Sequence, residues 1–115
     1  MPGFNSVECV GKLVHMVSTP YAAFVADDDF LVPSALEQCA DFLDVNQDYS
    51  AAHGLGILVT VEGNAAHGSL KGAGYFRQPI IEEETASLRV ANLFRNYGVT
   101  LFSLHRREVW GQLYE

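Results

Sequence analysis

The chain reads as an α/β protein on three observations. A run of six apolar residues, Tyr21-Ala-Ala-Phe-Val-Ala26, has the composition of a strand buried on both faces. Leu36, Cys39, Ala40 and Leu43 then recur at helical spacing and make one apolar stripe. Extended and helical patterns continue to alternate toward the C-terminus, the order from which a sheet covered by helices is built.

Asn5 followed three residues later by Glu8 has the form of a capping box, and Val7, Val10, Val14 and Val17 follow at helical spacing, so residues 6–17 are expected to be an amphipathic helix. Gly11 and the valines make it a poor isolated helix, and packing must hold it. Ser18-Thr19-Pro20 ends it. The strand at 21–26 follows, then Asp27-Asp28-Asp29, and Pro33 opens the clearest helix, at 33–45. Asn46-Gln47-Asp48 is the turn out of it.

Tyr49 to Val61 is the next extended segment, with His53-Gly54 inside it and Glu62-Gly63-Asn64 as its turn. Residues 64–74 hold three glycines and no periodicity, which predicts a loop on which a substrate can lie, with His67 in it. Tyr75-Phe76-Arg77 predicts a short strand stopped by Pro79. A helix is expected at about 85–97, with Val90, Leu93, Phe94 and Tyr97 on one face and Arg89, Asn92, Arg95 and Asn96 on another. Glu82, Glu83 and Glu84 suit its N-terminus and Gly98 its C-terminal cap. Val99 to Leu104 predicts a strand, His105-Arg106-Arg107 follow it, and a last helix starts at Glu108.

The 115 residues suit one small domain or part of a larger one. Fourteen acidic and seven basic residues give a net charge of −7, which repels nucleic acid. An anionic substrate such as a nucleotide would need a divalent cation between itself and the acids. Cys9 and Cys39 fall on apolar helix faces without metal-ligand spacing, so buried free thiols are expected. With no signal-peptide pattern and no apolar run of spanning length, the expected compartment is the cytoplasm. A buried first strand needs neighbours on both sides, and only about four strands are expected in all. The chain is therefore expected to be part of a larger α/β domain, cut at both ends, and pairing between copies is one way to cover the exposed strand edges.

The chemistry centres on Asp27-Asp28-Asp29. Three carboxylates at a strand end cannot lie close together without a cation or protons. In open α/β sheets the crevice beyond the strand C-termini is where ligands bind. His105, after a strand, is a further candidate for metal or diphosphate, and Arg106 and Arg107 are candidates for phosphate oxygens, with a solvated strand end as the plainer alternative. His53 fits a packed or hydrogen-bonded strand histidine better than a catalytic one, and His15 a helix surface.

The run from Thr19 through Asp27-Asp28-Asp29 and Pro33-Ser-Ala-Leu-Glu37, with Phe42-Leu-Asp-Val-Asn-Gln-Asp-Tyr49 after it, resembles the family 2 glycosyltransferases of the GT-A fold. In that family a buried strand ends in an Asp-x-Asp element. The match covers 18–54, weakens through 55–81 and returns at Glu82-Glu83-Glu84-Thr85-Ala86-Ser87-Leu88-Arg89. That second stretch is similar to the Glu-Asp-x-x-Leu-x-x-Arg element opening the helix under the acceptor site, with a glutamate where aspartate is usual and the leucine displaced.

The resemblance implies a partial GT-A-like three-layer sandwich with a mixed sheet, a single partial domain over 1–115 carrying the metal and acceptor half. It implies transfer of a sugar from a nucleoside diphosphate sugar to an acceptor hydroxyl, with inversion and a Mn2+ or Mg2+ ion. Asp29 is then the direct metal ligand. Asp27 or Asp28 touches the ribose, or the metal through water, and Arg89 lies by the substrate. Glu83 is the catalytic base, with Glu82 and Glu84 as alternatives. Two other classes compete. An aspartate-nucleophile phosphatase also ends a strand in Asp-x-Asp, although Leu31 stands where it wants Thr or Val. A non-catalytic remnant or binding module is the other.

Overall fold

The computed structural model describes residues 3, 5–63 and 68–115. The loop residues 64–67, His67 among them, lie outside the described residues. The architecture is mixed α/β, with two small sheets and four α-helices among the described residues. It divides into two units, Met1–Gly54 with Leu101–Glu115, and Leu55–Thr100. No helix among the described residues is long and apolar enough to cross a membrane.

The first unit begins with α1, Ser6–Met16. Asn5 and Glu8 form the expected capping box, each side chain accepting from the other's backbone N–H at 2.9 Å. Gly11 has a packing reason: a Cβ there would stand 3.0 Å from the Tyr114 side chain. Strand β1, Tyr21–Ala23, follows, then α2, Pro33–Val45, and β2, Ala51–Ala52. The chain returns to this unit as β5, Leu104–Arg106, which runs into α4, Arg107–Gly111, and a 3-10 turn at Gln112–Tyr114.

The sheet order is β1-β5-β2, with both pairings antiparallel. Alternation along the strands puts Ala22 and its register partner His105 on one face. There Ala22 packs with Val14 of α1 and Trp110 of α4, and the three form a buried cluster. Tyr21 and Arg106 point to the other face, toward α2. Tyr21 Oη donates to Asp44 at 2.5 Å, and Arg106 donates to the carbonyls of Leu43 and Asn46. Helices thus cover both faces of this short sheet, and Leu43 of α2 is fully buried.

The second unit holds β3, Gly56–Glu62, β4, Ser69–Phe76, and α3, Ala86–Arg95. β3 and β4 form an antiparallel hairpin, in which Lys71 is an extra residue at a bulge between the Thr60↔Gly72 and Val61↔Leu70 pairs. Gly63 and Gly68, at φ +111° and +54°, flank the loop in backbone regions that suit glycine. Thr85 caps α3 by accepting from the Leu88 N–H. No described residue of this unit is buried.

Several expectations are corrected. The strand expected at 21–26, buried on both faces, is three residues long and is a sheet edge, because β5 inserts between β1 and β2. Only Ala22 of that run is buried, and Val25 is exposed. The sheet expected to be mixed is antiparallel in each pairing described. The glycine-rich stretch read as loop is largely β4, whose ladder needs only backbone. The strand expected at 99–104 is shifted to 104–106. Gly98 is not a left-handed cap: α3 ends at Arg95 with Asn96 as its C-cap, and a Cβ on Gly98 would meet Pro79 Cδ at 2.6 Å.

Candidate functional site

The acid triplet lies in the first unit, three residues after β1. Asp27 and Asp28 are the central residues of a tight turn that Asp29 N–H closes by donating to Ala26 O at 3.2 Å. Aspartate suits that place because its short side chain tolerates turn backbone. All three are exposed, and none of the three carboxylates has a hydrogen-bond or ion-pair partner among the described residues. The donor set is therefore hard, anionic and open to solvent.

His105 is in the same unit but is built into the sheet. Its ring stacks on Trp110, with centroids 4.5 Å apart and planes 25° apart, and its Nε2 lies 3.3 Å from Leu101 O. Among the described residues no group of three or more His, Cys, Asp and Glu side chains is arranged to hold a metal ion, so His105 and the aspartates are not gathered into one.

Arg106 is occupied. Its Nε donates to Tyr49 O at 2.7 Å, and its Nη2 to Leu43 O at 2.5 Å and Asn46 O at 3.1 Å. The guanidinium is a cationic cap on the C-terminus of α2, a helix with no basic residue in its last turn. Arg107 N–H donates to Pro20 O, which puts this residue at the start of β1, while the triplet follows its end. The two arginines read as phosphate ligands thus serve the fold or stand at the opposite end of β1 from the acids. Tyr21 is held with Arg106 on that face. The hydrogen bond to Asp44 keeps its phenol above the ordinary 10.0, with some desolvation added and the Arg106 charge opposing.

Glu83 and Arg89 lie in the second unit. Of the three glutamates before α3, Glu83 is the half-buried one. Its Oε1 accepts from Asn92 Nδ2 at 2.5 Å, while its Oε2 is buried without a partner among the described residues. Asn92 also donates to Ile80 O at 3.0 Å and accepts from Asn96 Nδ2 at 2.7 Å. Arg89 Nη1 donates to Glu83 O at 2.7 Å and Glu84 O at 3.2 Å, so it clamps the backbone that carries the carboxylate. The periodicity puts Arg89, Asn92, Arg95 and Asn96 on one polar face. It could not show that this face holds Glu83, because those contacts depend on how the chain turns at 80–85.

The groove of about 840 Å³ between α1 and the C-terminal turn, bordered by Val7, Gly11, Met16 and Tyr114, contains none of the predicted site residues. The two cysteines are free, as expected, but half-buried rather than buried, and burial raises the Cys39 thiol above its ordinary 9.0. His53 Nδ1 lies 3.0 Å from Gly54 O, a local contact. No family model matches the chain, and no curated protein or solved structure is detectably similar to it.

Proposed function

We propose that the chain serves glycosyl transfer from a nucleoside diphosphate sugar to an acceptor hydroxyl, through a divalent metal held at Asp27–Asp29. The observation that carries this reading is the turn itself: three adjacent, solvent-facing carboxylates without partners among the described residues, with three residues between β1 and the first of them. Repulsion among them is relieved by a cation, and oxygen donors of this kind suit Mg2+ or Mn2+, which share one or two carboxylates with phosphate oxygens. Asp29 is the direct ligand, and Asp27 or Asp28 serves the ribose or a metal-bound water. When bound, the ion acts as a Lewis acid toward the leaving diphosphate.

Glu83 is the base that takes the acceptor proton. Asn92 holds one of its carboxylate oxygens and so fixes how the carboxylate is turned. Arg89 acts as a positioning residue through its two carbonyl contacts. The test is release of nucleoside diphosphate from UDP- and GDP-sugars with Mn2+, for the wild type, Asp29→Ala and Glu83→Gln. Metal-dependent release should vanish in the first variant and fall by about 10²–10⁴ in the second, the usual share of general-base catalysis. Release that survives Asp29→Ala, or a folded wild type that releases nothing, would overturn the proposal; the latter leaves a non-catalytic module.

A further inference from the structure

We draw no further inference here: the strongest candidate, the exposed apolar face of the β3–β4 hairpin that carries Ile57, Val59, Val61 and Tyr75, carries nothing because nothing in the structure shows what covers it.

Discussion

Replacing Arg106 by alanine removes a side chain that caps a helix. The guanidinium makes three bonds to carbonyl oxygens, at 2.7, 2.5 and 3.1 Å, two of them from one nitrogen. A hydrogen bond to a charged group contributes about 1.5–3 kcal/mol, and a cation at a helix C-terminus a further fraction of that. Because the side chain is only part-buried and Nη2 is shared, we take the total as about 3 kcal/mol. In a fold with about 5–15 kcal/mol to spare, this is a large loss. For a chain of this size it lowers the melting temperature by roughly 10–15 °C. Arg106→Lys keeps the charge but not the planar fork, so about half of that loss is expected. Thermal and urea unfolding followed by far-UV circular dichroism measures both. A melting temperature within about 2 °C of the wild type for Arg106→Ala would refute the capping account. A normal melt with weakened nucleotide binding would return Arg106 to the role of phosphate ligand.

Gly98→Ala should destabilise the second unit by roughly 1–3 kcal/mol, since its Cβ would meet the Pro79 ring at 2.6 Å. Earlier hydrogen exchange at 86–95 than at 33–45 would show the loss, and unchanged exchange would contradict it. Tyr21 should titrate later than an ordinary phenol, because its neutral form donates to Asp44. Its folded pKa is raised, so the stability it contributes is complete below pH 10.0 and is lost as pH rises through the folded value. Cys39 adds the same sign of dependence from its ordinary 9.0 upward. Tyr21→Phe should therefore flatten the fall in stability above pH 10, and an unchanged alkaline profile would contradict the assignment.

The two elements with strong chemical punctuation were legible. α2 runs from Pro33 to Val45 as read, because proline sets its first turn and one apolar stripe continues to Leu43. The Asn5–Glu8 box likewise marks the start of α1. β4 was missed because Gly72 and Gly74 have no side chain to show a period of two, and its pairing with β3 is a backbone matter. The apolar composition of β1 suggests a central strand, but small alanines also suit an edge strand packed by one helix pair. The duty of Arg106 had a faint signal: α2 ends without glycine or a basic residue, so its carbonyls needed a cation from elsewhere. Nothing in sequence spacing told which arginine, since Tyr49 and Arg106 lie 57 residues apart. The Glu83–Asn92 bond was half legible, as Asn92 was on the polar face of α3 but its partner was not.

The metal–diphosphate role of Asp29 is tested most directly by calorimetric titration of the chain with UDP- and GDP-sugars, with and without Mn2+, beside Asp29→Ala. The account predicts binding that requires the metal and is lost in the variant. Binding that is indifferent to Mn2+ or to Asp29, or no binding by a chain whose circular dichroism shows it folded, would contradict it.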